Sequence, residues 1–403
     1  MDNLIKDLNF KAAKERLEPV LLPTHLIYSD YFSKETGNDI YLKPENLQRT
    51  GSFKIRGAYN KISKLTDEER ARGLVTASAG NHAQGVAYSA RETGAKATIC
   101  MPKKTPVIKV NRTRSYGVDV VLVGDTFDEA NAHSLKLAKE EGYTLVHPFD
   151  DYDVIEGQGT IALEVLEDLP DADLVLVPVG GGGLISGVAA AVKSIDPTCQ
   201  VWGVESTQIA SMANAISKGQ AVKLEGGQPS IADGTAVLMP GKKTFEYASK
   251  YVDNWVQVDD LDLMTVFTEM VENHKLVVEP SGLLAVAAAK KIPVHNKKIV
   301  ALMSGGNIDM LTIANIVNRG LIRQGRIFTF STKLINSPGK LVSLLNVISN
   351  QGGNIIDVIH DTHRANFQLN EILVTISVEV NGFEHINLIK KALTDNNYEF
   401  EAN

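Results

Sequence analysis

The chain has 403 residues, of which 44% are hydrophobic and 22% charged, a composition typical of a globular protein and unlike a disordered one. Its 41 basic and 48 acidic side chains leave a net charge of −7, which argues against a general nucleic-acid-binding protein. The two cysteines, Cys100 and Cys199, exclude a disulfide scaffold and fit a reducing compartment, so we expect a cytoplasmic protein. The sequence contains no apolar run of about 18 residues, so no membrane span is predicted.

Residues 40–325 alternate short β-branched runs with alanine-rich stretches of helical length. Strands are predicted at residues 74–77, 97–101, 118–123, 174–179, 201–205 and 299–303. Helices are predicted between them, at residues 83–92, 126–141 and 184–193. Continuous apolar strands separated by helices predict a parallel sheet that is covered on both faces. Such sheets bind ligands where their strands end, so the loops that follow the strands are the candidate sites.

The pattern changes after residue 325. Strands are predicted at residues 326–335, 354–360 and 372–380, helices at 338–350 and 384–396, and a short last strand at 398–401. This order, βαββαβ in about 75 residues, predicts a ferredoxin-like α+β module. We therefore expect a catalytic domain at residues 1–322 and a small domain at residues 326–403, with the boundary in the glycine-containing segment 318–326.

Four consecutive glycines, residues 180–183, follow one predicted strand and precede a helix. Because they carry no side chains, their N–H groups can converge on an anion beside the helix N-terminus. Their spacing matches neither the dinucleotide pattern G-x-G-x-x-G nor the P-loop pattern G-x-x-x-x-G-K-[ST]. The loop therefore favours a lone phosphate group over a dinucleotide, and a turn that needs only flexibility is the structural alternative.

Two further loops carry polar side chains after predicted strands. Ser78, Asn81 and His82 lie in the sequence SAGNH, where a helix begins, and can form a cradle for a carboxylate. An ordinary helix cap would explain Ser78 and Asn81 as well. Ser304 begins the sequence SGGN after the strand at residues 299–303 and can offer one neutral hydrogen bond.

Lys54 lies in the sequence TGSFKIRGA at the start of a predicted helix, with Ser52 as a candidate cap. The helix dipole disfavours a lysine at this end of a helix. A lysine in an unfavourable place can have a depressed pKa and act as a nucleophile, although most lysines are solvated surface residues.

In this order, the segments SFKIRGA, SAGNHAQG, GGGGL and SGGN resemble the fold type II enzymes that use pyridoxal 5′-phosphate, whose fold is like that of the tryptophan synthase β chain. Among these enzymes the chain is most similar to the threonine ammonia-lyases (threonine dehydratases) with one C-terminal regulatory module. The resemblance covers essentially the whole chain. It implies a two-lobed α/β catalytic domain that converts L-threonine to 2-oxobutanoate, and L-serine to pyruvate, with release of ammonia.

The resemblance also implies a role for each motif residue. Lys54 and Ser78 are the implied catalytic residues, Lys54 as the Schiff-base lysine that takes the Cα proton. The implied cofactor contacts are Phe53 on the ring face, Asn81 on the ring hydroxyl, Ser304 on the pyridine nitrogen and, on the phosphate, Gly180, Gly181, Gly182, Gly183 and Leu184. The implied ligands of the substrate carboxylate are Ser78, Asn81 and His82.

Relatives with the same fold offer alternatives, namely serine racemases and 3-hydroxyaspartate ammonia-lyases. Serine racemases carry a second serine after the position of Ser78, where this chain has Ala79, so racemisation is disfavoured. They also bind a divalent cation through an acidic residue six positions after the match to Glu205, where this chain has Ser211. We therefore expect no divalent metal site, while a monovalent cation stays open. A non-catalytic amino-acid sensor is disfavoured because Lys54 and the four glycines are intact.

The C-terminal module resembles ACT domains, which pair through their sheets and bind amino acids at the interface. The matching residues, implied to be regulatory, are Asn336, Ser337, Pro338, Gly339 and Asn354. The resemblance implies a homo-oligomer, a dimer or a tetramer, with an allosteric effector such as isoleucine or valine. A plain oligomerisation module is the alternative. Isoleucine biosynthesis and threonine breakdown are both compatible pathways, and no nucleic-acid or membrane partner is expected.

Overall fold

A computed structural model describes residues 8–361 and 370–402. The chain divides into two compact units, with the boundary between Ile308 and Asp309. The sequence places this boundary later, at residues 318–326. The difference is the helix Met310–Arg323, which contacts the strand Ile327–Ile335 and so belongs to the second unit. The predicted domain limits at residues 1 and 403 lie outside the described ranges.

Helices and strands alternate through the first unit. Its helices, α1 to α13 in chain order, are Phe10–Leu17, Asp30–Thr36, Lys54–Ser63, Asp67–Arg72, Asn81–Thr93, Val107–Arg114, Phe127–Glu140, Tyr152–Asp168, Gly183–Ile195, Ser211–Lys218, Lys242–Tyr251, Asp260–His274 and Pro280–Ala289. Its strands, β1 to β10, are Ile27–Tyr28, Asp39–Pro44, Leu74–Ala77, Ala97–Met101, Asp119–Leu122, Thr144–Leu145, Leu174–Pro178, Gln200–Ser206, Asn254–Val258 and Lys298–Met303. The six strands predicted in this region agree with β3, β4, β5, β7, β8 and β10 to within one residue at each end.

These strands form two sheets. The larger sheet has the order β1-β2-β10-β7-β8-β9 and is parallel except for its edge strand β1. The smaller sheet has the order β5-β4-β3-β6 and is parallel throughout. The predicted parallel α/β architecture is therefore confirmed. The loops after β3, β7 and β10 leave the carboxyl ends of their strands, where sheets of this kind bind ligands.

Helix α8 packs against both α3 and α9, which begin at two of the sequence motifs. The contacts are close because glycines form them. A Cβ at Gly157 would lie 2.6 Å from the Arg56 carbonyl oxygen of α3, and one at Gly187 of α9 would lie 2.3 Å from the Ile155 carbonyl oxygen. The buried Arg56 also pairs with Glu164 of α8 at 2.6 Å. These contacts fix the starts of α3 and α9 relative to each other.

The second unit contains α14 (Met310–Arg323), α15 (Lys340–Asn350) and α16 (Phe383–Asp395), with strands β11 (Ile327–Ile335), β12 (Asn354–Asp361), β13 (Glu371–Glu379) and β14 (Phe400–Ala402). Its antiparallel sheet has the order β12-β13-β11-β14. Alternate residues of β11 and β13 are buried in an apolar core shared with α15 and α16. The predicted βαββαβ order is confirmed. Within the described residues, no helix combines the length and apolarity needed to cross a bilayer.

Candidate active site

A cleft of about 790 Å³ opens in the first unit at the loops that follow β3, β7 and β10. Every residue that the sequence predicts for catalysis, cofactor or substrate lines it. These residues are Phe53, Lys54, Ser78, Asn81, His82, Gly180, Gly181, Gly182, Gly183, Leu184 and Ser304. Four motifs that are distant in the chain therefore meet in one place. The roles of the individual residues remain predictions.

Lys54 is the first residue of α3, and its side chain is held inside the cleft. Its Nζ donates a hydrogen bond to the Pro148 carbonyl oxygen at 2.8 Å and lies 5.2 Å from the centre of the Phe53 ring. Burial lowers the pKa of Lys54 to about 8, against the opposing effect of the Glu279 carboxylate. A buried amine that loses its proton near neutral pH is suited to act as a nucleophile.

The start of α3 is anchored to the loop after β10 through the backbone. The Phe53 N–H donates to the Ser304 carbonyl oxygen at 3.1 Å, and Ser52 forms a bridge with Gly305. The prediction that Ser52 caps α3 is wrong, because the N-cap residue is Phe53 and no side chain caps the helix. The backbone bridge to Gly305 holds Ser52 in place, so Lys54 is positioned by strand-like pairing.

The glycine loop, residues 180–183, has no room for side chains. A Cβ at Gly180 would lie 2.9 Å from the Thr235 Cα, and one at Gly181 would lie 2.3 Å from the Phe149 ring. Gly182 has a φ of +95°, a left-handed conformation that favours glycine. The loop leads directly into α9, and the first N–H groups of a helix have no partners within it. Amides at a helix N-terminus that have no partner within the helix fit a phosphate group.

His82 is tied to the protein rather than free for a ligand. Its Nε2 lies 2.9 Å from the Val146 carbonyl oxygen, and burial lowers the pKa of His82 to about 3, so the ring is neutral. Because a carbonyl oxygen only accepts, the single ring proton is on Nε2 and Nδ1 is an acceptor. An acceptor cannot bind a carboxylate. The geometry therefore disfavours the carboxylate-binding role implied for His82 and favours a structural one.

Glu279 is a cleft residue that the sequence reasoning missed. It is only 4% exposed, and its Oε1 accepts a hydrogen bond from the Asn81 Nδ2 at 2.7 Å. Burial, reinforced by the nearby Asp233 carboxylate, raises the pKa of Glu279 to about 8. A sequence signal does exist, because Glu279 directly precedes the helix α13, which begins at Pro280 and carries one polar side chain, Ser281. A carboxylate at the start of a buried helix is removed from water and needs a partner inside the protein.

The cleft thus combines three features. It has a buried amine on Lys54, an anion cradle at residues 180–183, and the Asn81 Oδ1, which is buried and has no hydrogen-bond partner within the described ranges. An aldehyde on a ring that also bears a phosphate would use all three features. Its aldehyde would form an imine with Lys54, its phosphate would accept hydrogen bonds from the amides of residues 180–183, and a substituent of its ring would face Asn81. Together they define an enzyme class that holds such a cofactor on a lysine.

Comparison with known proteins agrees with this class. Residues 17–305 match the family described as pyridoxal-phosphate dependent enzyme. An L-threonine ammonia-lyase of Thermotoga maritima is 44% identical over 392 residues, which cover 97% of this chain and 98% of that relative. The chain belongs to the family of pyridoxal-phosphate dependent enzymes.

Two solved structures resemble the chain closely. The processed form of threonine deaminase isoform 2 from Solanum lycopersicum has a TM-score of 0.73 and 38% identity, covering 78% of this chain and 91% of its own. Maize serine racemase has a TM-score of 0.73 and 34% identity, covering 78% of this chain and 97% of its own. The predicted cofactor and the fold type II catalytic architecture are therefore confirmed.

Proposed function

We propose that this enzyme is a cytoplasmic L-threonine ammonia-lyase that also accepts L-serine. The observation that carries the proposal is the buried Lys54 amine, which shares one cleft with the glycine loop and with Ser304. The similarity to an L-threonine ammonia-lyase along 97% of the chain supports the choice of substrate. Threonine would give 2-oxobutanoate and serine pyruvate, each with ammonia.

The proposal gives tasks in this reaction to the predicted site residues. The amides of residues 180–184 hold the phosphate, and Lys54 holds the cofactor through Nζ and later takes the Cα proton at the same atom. The Ser78 hydroxyl and the Asn81 backbone N–H at the start of α5 orient the substrate carboxylate. When bound, the cofactor supplies an electron sink for the charge left at Cα. Ser304 is a neutral partner for the pyridine nitrogen. A neutral partner makes the electron sink weaker than a carboxylate partner would. The weaker sink favours loss of the β-hydroxyl over transamination.

Replacement of Lys54 tests the proposal. The purified enzyme should be yellow and release 2-oxobutanoate from threonine, and Lys54→Ala should lose the imine absorbance and at least about 10³-fold of the turnover. Lys61→Ala is the matched control, because Lys61 lies on the same helix but pairs with Asp153 outside the cleft. A colourless but active enzyme, or a Lys54→Ala variant that keeps its turnover, would contradict the proposal.

A serine racemase is the second candidate, favoured by the similarity to maize serine racemase. Ala79 lines the cleft and carries no hydroxyl, so the cleft lacks the second acid that racemases place at this position. We expect the wild type to release ammonia from threonine and serine faster than it forms D-serine or consumes 3-hydroxyaspartate. Ala79→Ser should raise D-serine formation. Racemisation faster than ammonia release in the wild type would favour the racemase instead.

We propose that the second unit is an ACT-like regulatory module and that the enzyme is a homo-oligomer. The βαββαβ order of the second unit supports this proposal. The implied effector residues are Asn336, Ser337, Pro338, Gly339 and Asn354. The test is the turnover of threonine with and without isoleucine, valine and AMP. A coupling free energy of about 1–3 kcal/mol between the effector site and the active site would change the affinity for threonine about 5- to 150-fold. No response to any of them would leave a plain oligomerisation module.

A further inference from the structure

The Asn81 amide lies between two different environments. On one side its Nδ2 donates a hydrogen bond to the Glu279 Oε1 at 2.7 Å. On the other, its Oδ1 is buried and has no hydrogen-bond partner in the part of the chain that the structure describes. Asn81 lines the cleft, so a bound ligand can supply the partner that this end of its amide lacks within the described residues.

Which end of the amide is available depends on the proton of Glu279. An ionised carboxylate only accepts, so it must take Nδ2 and leave Oδ1, an acceptor, for the ligand. A protonated carboxyl can donate to Oδ1, and the amide then presents Nδ2, a donor, to the ligand. We propose that Glu279 is a positioning residue which sets, through Asn81, whether the cleft offers the cofactor a hydrogen-bond acceptor or a donor.

The space around this pair is closed by a third residue. A Cβ at Gly305 would lie 2.3 Å from the Glu279 Oε1 and 3.0 Å from the Asn81 Nδ2. The hydrogen bond therefore occupies the volume that any side chain at position 305 would need. A glycine at this position keeps Glu279 and Asn81 in contact, in addition to forming the turn after β10.

The surroundings of Glu279 place its proton exchange near neutral pH. The groups that face it are the Asp233 carboxylate, the Lys109 and Lys54 amines, the Asn81 amide and the Asn307 N–H. Burial and Asp233 raise the pKa of Glu279, while Asn81, Lys109 and the Asn307 N–H lower it, and the net result is a pKa of about 8. The protonated form therefore dominates at pH 7 and is lost as the pH rises through about 8.

Each end of the amide suits a different form of the cofactor. A donor from Asn81 stabilises a phenolate oxygen on the ring, whereas an acceptor stabilises a protonated ring hydroxyl. The absorbance of the bound cofactor should therefore follow the proton of Glu279. This inference rests on the site proposed above, but it concerns the bound cofactor and not the substrate, so failure of threonine turnover would not contradict it.

The test is an absorbance titration of the cofactor-loaded enzyme from about pH 6 to about pH 10. The wild type should show a transition within this range, because burial and the Asp233 carboxylate raise the pKa of Glu279. Glu279→Gln has the same shape and no charge, and it should abolish this transition or move its midpoint by about one pH unit or more, a tenfold change in proton affinity. Glu269→Gln is the matched control, because Glu269 is also buried but pairs with Lys290 away from the cleft.

A double variant tests whether Glu279 acts through Asn81. In an Asn81→Ala background, Glu279→Gln should move the midpoint by less than about 0.3 pH units, since coupled residues are not additive. The apoenzyme's affinity for pyridoxal 5′-phosphate, measured by fluorescence, reports a purely structural effect separately. The proposal is overturned if Glu279→Gln titrates like the wild type, or if it moves the midpoint equally with and without Asn81.

Discussion

Two loops in the first unit, each between a strand and a helix, line the cleft with different chemical groups. The glycine loop follows β7 and begins α9, and the SAGNH loop, residues 78–82, follows β3 and begins α5. In the glycine loop, a Cβ at any of the four positions would meet another atom at less than 3.0 Å. In the SAGNH loop, a Cβ at Gly80 would have nothing within 4 Å. Backbone groups therefore form the closed wall of the cleft, and polar side chains form the open one.

The N-termini of α9 and α5 can therefore contact a ligand in two different ways, through backbone amides at α9 and through polar side chains at α5. Where the wall is packed against Phe149 and Thr235, only bare amides can reach an anion, and the shape of the loop is set by its neighbours. Where the wall is open, Ser78 and Asn81 can supply the contacts instead, and the loop is held by local bonds such as the Gly80 N–H to the Ser78 Oγ at 3.2 Å. Substitutions in the two loops should therefore differ in size and in kind.

The largest effect is expected from Gly181→Ala. Its Cβ would lie 2.3 to 2.4 Å from three atoms of the Phe149 ring, so either the loop or the ring must move. Overpacking of this kind costs about 1–3 kcal/mol. Because the amides that we propose to bind the phosphate move with the loop, the dissociation constant of pyridoxal 5′-phosphate should rise at least about tenfold. Fluorescence titration of the apoenzyme measures it.

A second substitution is the control for this variant. Phe149→Ala removes the ring that the new methyl group would meet, so it should restore part of the lost cofactor affinity in the Gly181→Ala background. Unchanged affinity in Gly181→Ala would show that the loop does not hold the phosphate. Equal affinity in the single and double variants would show that the clash with Phe149 is not the cause of the loss.

An intermediate effect is expected from His82→Gln, on stability and not on cofactor binding. The pKa of His82 is lowered to about 3 in the folded protein, while the unfolded chain has the ordinary value of 6.5, so the unfolded state binds more protons at acidic pH. The stability that depends on a neutral His82 is fully present above the pKa of the unfolded chain, 6.5. It is lost as the pH falls toward the pKa of the folded protein, about 3. Glutamine keeps an N–H donor for the Val146 carbonyl but does not titrate.

Urea unfolding of the cofactor-loaded protein at about pH 8 and about pH 5 measures this difference. Between these values the wild type should lose about 2 kcal/mol more stability than His82→Gln. All other titrating groups are common to both proteins, so they cancel in the comparison. Equal losses would mean that His82 titrates in the folded protein as it does in the unfolded chain, and the carboxylate-binding role would regain support.

The sequence predicts the positions of both loops but not how each is held. Strands such as Leu74–Ala77 and Leu174–Pro178 are short, apolar and fully buried, so composition alone locates them and the loops that follow. The partner of His82 is the Val146 carbonyl, 64 residues away, and the partner of Asn81 is Glu279, 198 residues away. Contacts of this kind join segments that are distant in the chain, and no local pattern encodes them. Ser52 illustrates the same point, because a strand-like bridge to Gly305 replaces the local cap.

The smallest effect is expected from Gly80→Ala, the matched change in the SAGNH loop. The added methyl group has free space, and the variant keeps the N–H that donates to the Ser78 Oγ. Stability, measured by urea unfolding, should stay within about 0.5 kcal/mol of the wild type, as for substitutions that disturb no packing. Cofactor affinity should change by a similarly small amount. A loss as large as that of Gly181→Ala would mean that both helix starts require bare backbone, and the distinction between a closed and an open wall would then be wrong.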